Sequence, residues 1–268
     1  PLSMFVMTIL DTIICDNGVE VVGLIELIRA KHLEHSKYFN RTCFSATEYI
    51  RRKDKSGIIA EFKRLSPSKG TINESVTVRD VTMGYVTAGA SCLSVLTDQK
   101  FFGGSNSDLK EARDNNNVPI LRKDFVIDEY QIIEAKSIGA DIILLIAECL
   151  TSTEIKRFAT LAQSLGMEVL LELNHKEELN KICQELNLVG INNRDLATFK
   201  VDVNRSVELG ALIPNDFLKV SESGISEFTN ISLLKSHGFE AFLMGETFMK
   251  SQNPGDACSK FIKQAKLL

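Results

Sequence analysis

The chain has 268 residues, 44% of them hydrophobic and 25% charged, which fits one large α/β domain or two small ones. A net charge of −4 excludes a general electrostatic attraction to nucleic acid or to an anionic membrane surface, so a bound phosphate must be held by a local arrangement. The six cysteines lie far apart, with no C-x-x-C pair and no histidine at ligand spacing. They read as small core residues in a reducing compartment, with neither a disulfide framework nor a metal site.

The first eleven residues lack the basic region and small-residue cleavage site of a secretory leader, and no apolar run approaches membrane-spanning length. The expectation is a cytoplasmic protein. Residues 1–55 carry helix-like stretches at 9–15 and 19–33, expected to form an N-terminal helical extension packed on the main body. Strand-like runs then follow at Ile58–Phe62, Cys92–Leu96, 119–122, 141–147, Glu168–Leu173, Leu188–Asn192, 218–221 and 241–244. They recur about every 26 residues, the length of one strand, one helix and two short loops. Between them, residues 76–88, 129–138, 153–165, 176–186 and 227–236 place apolar side chains three and four apart, the helical period. Thr151 through Glu154 and the pair Ser226-Glu227 are expected helix starts. Gly89, Gly139, Gly166 and Gly238 are expected left-handed helix ends.

Alternation of apolar strands with helices means a parallel sheet covered by helices. Eight units favour closure into a (β/α)8 TIM barrel over an open doubly wound sheet, with residues 1–268 forming one such domain.

The strand ends carry the functional signal. Glu61 and Lys63 are two apart and share the face of Ile59, which places both inside the barrel. Lys123 shares a face with Leu121; Glu172 ends the fifth strand, Asn192 and Arg194 the sixth, and Glu222 the seventh. Interior charges are costly unless they are paired or face a polar cavity. A closed ion-pair network explains one or two such strands. Ionisable residues on five strands, all at the end where barrels keep active sites, point to catalysis. Glu and Lys in close contact shift each other's proton affinity, as acid–base chemistry requires. Ser223-Gly224 and Gly245-Glu246 follow the last two strands, where barrels commonly hold phosphate through backbone N–H groups. The loop from Ser66 to Gly70 is expected to close its hydroxyls and Lys69 over a substrate. No H-E-x-x-H, Walker, G-x-S-x-G or G-x-G-x-x-G motif occurs, which argues against metalloprotease, nucleotide-dependent and serine-hydrolase chemistry.

The segment Glu61-Phe62-Lys63-Arg64-Leu65-Ser66-Pro67-Ser68-Lys69-Gly70 resembles the signature of indole-3-glycerol-phosphate synthases. So do Phe101-Phe102-Gly103-Gly104-Ser105, Leu121-Arg122-Lys123-Asp124-Phe125, Gly190-Ile191-Asn192-Asn193-Arg194-Asp195 and Glu222-Ser223-Gly224-Ile225. The resemblance runs in order from about residue 40 onward. Leu65 departs from the small or basic residue usual there, and residues 16–27 are more apolar than the charged helix the family carries.

The resemblance implies a small phosphorylated anthranilate-derived substrate, 1-(2-carboxyphenylamino)-1-deoxyribulose 5-phosphate. Its ring closes, CO2 is lost, and then water, giving indole-3-glycerol phosphate in tryptophan biosynthesis, with no cofactor. By the same resemblance Lys123 and Lys63 are the acids, Glu172 the base, Glu61 a partner of either lysine, and Asn192 an orienting group. Arg194 and Glu222 contact substrate, Arg194 by pairing with a carboxylate. Ser66, Ser223, Gly224, Gly245 and Glu246 (the last through its N–H) surround phosphate, and Phe102, Phe125 and Leu243 line the anthranilate pocket. Other tryptophan-pathway enzymes are candidate partners that no residue pattern reveals. The nearest rival is a phosphoribosylanthranilate isomerase, which is expected to use a Cys/Asp pair where this chain offers Lys and Glu. A catalytically silent barrel subunit is the other alternative, and it would have no physical need to bury these charges.

Overall fold

The computed structural model describes residues 30–195 and 198–266. Eight parallel strands close into a barrel: β1 (Ile58–Phe62), β2 (Cys92–Leu96), β3 (Ile120–Lys123), β4 (Ile142–Ile146), β5 (Glu168–Leu173), β6 (Leu188–Asn192), β7 (Leu218–Glu222) and β8 (Phe239–Met244). Each pairs with its successor and β8 pairs with β1, so no edge is left open. The helices are α1 (Ala30–Leu33), α2 (Ala46–Arg51), α3 (Val78–Ala88), α4 (Gln99–Phe102), α5 (Asn106–Asn115), α6 (Glu129–Ile138), α7 (Ser152–Ser164), α8 (Asn204–Gly210), α9 (Phe228–Ser236), α10 (Glu246–Met249) and α11 (Pro254–Lys266).

Local sequence explains most of these boundaries. Thr151 caps α7 in a reciprocal box with Glu154, leaving neither partner's backbone N–H free. Gly89 and Gly139 end α3 and α6 at φ +100°, a conformation other residues adopt only under strain. Two expectations fail. Residues 176–186 do not form an α-helix; only Lys176–Lys181 coils, as a 3-10 turn. Glu178 there accepts from the N–H groups of Asn174 and His175, and Lys181 donates to the carbonyls of Ala147 and Leu150, which pins the segment too tightly to continue. Nor does Ser226-Glu227 cap α9 through a side chain: Glu227 holds the N-cap position without a cap hydrogen bond, and Ser226 lies one residue outside it.

Side-chain alternation fills the barrel in layers of four, each drawn from alternate strands. The lowest holds Cys92, Ile142, Leu188 and Ala241, and above it sit Ile59, Leu121, Leu170 and Val220. The third holds Ser94, Leu144, Gly190 and Leu243, and the fourth Glu61, Lys123, Glu172 and Glu222. The apolar layers thus give way to an ionic one at the carboxyl ends of the strands.

The opposite end is closed by residues 41–51. Ala46 and Ile50 of α2 join the interior apolar cluster. The Ser45 and Thr47 hydroxyls and the Thr47 N–H donate to Glu168, the first residue of β5, at 2.6, 2.8 and 3.0 Å. Asp141 is fully buried and accepts from Arg41 at 2.7 Å, Arg113 at 2.8 Å and the N–H groups of Phe44 and Ile120 at 2.8 and 2.9 Å. The expected helix at 9–15 and most of that at 19–33 lie outside the described residues. Replacing Asp141 by Ala strands a buried Arg113 charge, and should lower unfolding free energy by about 3–5 kcal/mol. A denaturant midpoint unchanged from the parent protein would disprove this.

Candidate active site

The ionic layer is held together by specific pairs. Lys63, just past the end of β1, meets Glu61 at 2.8 Å, and the Ser94 hydroxyl from β2 donates to the same carboxylate at 3.1 Å. Lys123, the last residue of β3, donates to Glu172 on β5 at 3.1 Å and lies 3.9 Å from Glu222 on β7. The Asn192 amide donates to the other Glu172 oxygen at 3.0 Å, while its own oxygen accepts from the Arg194 N–H at 3.0 Å. Asn192 is therefore fixed from behind.

Proton affinities follow from these contacts. Burial alone would lower Lys123, but the Glu172, Glu222 and Glu61 carboxylates outweigh it and hold the ammonium charged. Burial likewise opposes ionisation of Glu172; Lys123, with the Asn192 hydrogen bond, overrides it and keeps that carboxyl below its usual range. Glu222 goes the other way. Its burial and the neighbouring Glu172 charge raise it well above the ordinary carboxylate range. Beside a retained cation, one layer thus pushes the proton affinities of two carboxyl groups in opposite directions, the separation that acid–base catalysis uses.

Around the layer lies an open cavity. Phe102 and Phe125, ring centroids 6.3 Å apart, are its aromatic lining, and Leu144, Ile146 and Leu243 add apolar surface. Across the mouth, Arg194 donates to the Ser68 hydroxyl at 3.2 Å and to Glu246 at 3.0 Å. Lys250 and Arg194 together hold the Glu246 carboxyl low against the opposing effect of burial. The loop after β1 is a short antiparallel ribbon, Leu65–Ser66 against Gly70–Thr71. Ser66 faces the cavity, whereas Lys69, expected to close over a substrate, is exposed and does not line it.

The loops after β7 and β8 close the remaining side. Ser223 and Gly224 are consecutive residues at φ +66° and +72°. A Cβ on Gly224 would lie 1.9 Å from Val201 Cγ1, so glycine is required on both counts. A Cβ on Gly245 would meet Glu61 Cβ at 2.9 Å, so this loop can approach the ionic layer only without a side chain.

Apart from Lys69, the fifteen residues singled out from the sequence line this one cavity: Glu61, Lys63, Ser66, Phe102, Lys123, Phe125, Glu172, Asn192, Arg194, Glu222, Ser223, Gly224, Leu243, Gly245 and Glu246. Asp124, Phe199 and Thr247 line it too and were missed. Phe199 sits in an aperiodic loop at φ +56°, where no pattern signals it. Ser94, also missed, left a readable trace: a hydroxyl at an inward position of an otherwise apolar strand.

Residues 10–261 match the family model described as "Indole-3-glycerol phosphate synthase". The chain belongs to the indole-3-glycerol phosphate synthase family. It is 50% identical over 208 residues to the indole-3-glycerol phosphate synthase of Bacteroides thetaiotaomicron, covering 78% of this chain and 80% of that protein. It is 43% identical over 207 residues to that of Polynucleobacter necessarius, covering 77% of this chain and 78% of that protein. A solved structure described as "Native KDPGal structure" superposes with a TM-score of 0.54 at 15% identity, over 79% of this chain and 96% of that one, and speaks to the barrel fold alone. Membership of the indole-3-glycerol phosphate synthase family makes this chain a decarboxylating lyase of tryptophan biosynthesis. Among the described residues, no helix is long and apolar enough to cross a membrane.

The Gly224 contact yields a direct test. Gly224→Ala combines a left-handed backbone with a collision against Val201, and should cost about 1–3 kcal/mol of stability. Thermal and denaturant unfolding measure it; a variant as stable as the parent protein would contradict the geometry.

Proposed function

We propose that the cavity binds 1-(2-carboxyphenylamino)-1-deoxyribulose 5-phosphate and that its side chains divide the three steps between them. The observation that carries this reading is the Lys123–Glu172 contact of 3.1 Å in the cavity that Phe102 and Phe125 line. An acid and a base stand side by side where an aromatic ring can be held.

In this reading the anthranilate ring lies against Phe102, Phe125 and Leu243, and its carboxylate pairs with Arg194, displacing Glu246. The phosphate rests on the backbone of Ser223, Gly224, Gly245 and Glu246, with Ser66 opposite. The ring carbon bearing the carboxylate attacks the ketone carbon while Lys123 delivers a proton to the ketone oxygen. Loss of CO2 returns its bonding electrons to the ring and restores aromaticity. Lys63 then protonates the departing hydroxyl and Glu172 accepts the proton released on the ring side. Glu61 aims Lys63, and Asn192 aims Glu172. A cytoplasmic location and a single domain spanning the chain, with an N-terminal extension, belong to the same proposal.

Indole fluorescence developing when the purified protein meets this substrate is the primary test, and silence under all conditions would sink the assignment. Lys123→Ala should abolish ring closure; closure at near the parent rate would move the first proton to another group. Glu172→Gln should lower kcat by about 10²–10⁴-fold with little change in KM. Undiminished turnover in that variant would remove Glu172 from the chemistry.

A further inference from the structure

Within the ionic layer Glu222 is placed differently from its neighbours. Glu61 has a lysine at 2.8 Å and Glu172 one at 3.1 Å, while Glu222 stands 3.9 Å from Lys123. Its Oε1 is buried and no donor serves it. That oxygen occupies a recess in the layer below: a Cβ on Gly190 would lie 2.2 Å from it. Gly190 on β6 is in register with Glu172 on β5, so the Glu222 carboxyl reaches from β7 across the bare glycine toward Glu172. Both carboxyl groups converge on a single ammonium, that of Lys123, at 3.1 Å for Glu172 and 3.9 Å for Glu222. Both are acceptors when ionised, so a hydrogen bond from one to the other requires a proton.

We propose that Glu222 serves as a proton-bearing partner of Glu172, donating to it across the recess at Gly190, and that Gly190 is thereby a positioning residue for the reaction. The proposal rests on the reading of Glu172 as the base. The charged groups facing Glu222 are Lys123 from β3, Glu172 from β5 and Glu61 from β1. β6 and β8 flank it with Gly190, Asn192 and Leu243, none of which titrates. Burial and the Glu172 charge favour the neutral form, in agreement with the buried oxygen that no donor serves. A donated hydrogen bond stabilises ionised Glu172, adding to those from Lys123 and Asn192. The base is then held ionised and aimed from three sides before substrate arrives.

The test reads protonation directly, on the whole protein labelled with carbon-13 at its glutamate carboxyl carbons. The signal that disappears in Glu222→Gln, or in Glu222→Asp should the first variant not fold, belongs to Glu222. It should appear at the shift of a protonated carboxyl at neutral pH and titrate well above the ordinary carboxylate range. A carboxylate shift at neutral pH overturns the proposal. Gly190→Ala fills the recess and pushes the carboxyl away. Loss of that donor raises Glu172, so the acid limb of kcat/KM should move to higher pH by roughly one unit, with kcat falling more than KM rises. Glu222→Asp withdraws the carboxyl with the glycine intact, and should move the limb in the same direction. An acid limb unmoved in both variants overturns the positioning role. Should Glu172→Gln leave turnover intact, the base assignment fails, while the carbon-13 signal still decides the state of Glu222.

Discussion

The constraint on which the rest depends is that a closed parallel barrel puts the inward side chains of alternate strands at one height. Once β1, β3, β5 and β7 each turn an ionisable residue inward at the fourth layer, Glu61, Lys123, Glu172 and Glu222 must settle their charges among themselves, because water reaches them only from the mouth. Three carboxyl groups and one ammonium cannot all ionise there at low cost. Lys63 comes in from above to balance Glu61, Lys123 balances Glu172, and the remaining carboxyl is pushed toward its neutral form. The pairing of charges follows from layer geometry plus electroneutrality.

The layer beneath makes this arrangement possible by being small where it must be. Ser94 and Gly190 alternate there with Leu144 and Leu243. The serine offers a hydroxyl to Glu61 and the glycine makes space for Glu222, while the leucines keep the floor dry. Lower still the packing is wholly apolar down to the plug of residues 41–51, where Asp141 and Glu168 take up hydrogen bonds from the incoming chain. Groups concerned with holding the barrel closed and groups concerned with chemistry are thus at opposite ends.

Much of this was legible in the sequence because it repeats. The strand period, the glycine helix ends and the charges at strand ends are local patterns, and most of the candidate residues were readable from their own strand or loop, whereas Phe102, Phe125 and Leu243 came only from the family resemblance. What escaped depends on neighbours. Gly190 reads as an ordinary strand glycine until the register sets it between β5 and β7. The run 176–186 has helical spacing, yet Lys181 is committed to carbonyls on another segment, a contact no periodicity contains. Phe199 owes its place to a loop held by Asp195 and by the bridge between Arg194 and Val201. Which lysine faces which carboxylate was likewise open until the distances paired Lys63 with Glu61 and Lys123 with Glu172.

The contact between Val201 and Gly224 reaches beyond its own two residues. It makes the loop after β6 and the loop after β7 a matched pair, shaped like a peg and its socket. Recombining segments among relatives to alter substrate preference would therefore succeed only when both loops travel together. A chimera that imports a bulkier loop after β6 alone would find the Gly224 side already full. The two loops form a single inheritable module, although a helix and a strand separate them along the chain.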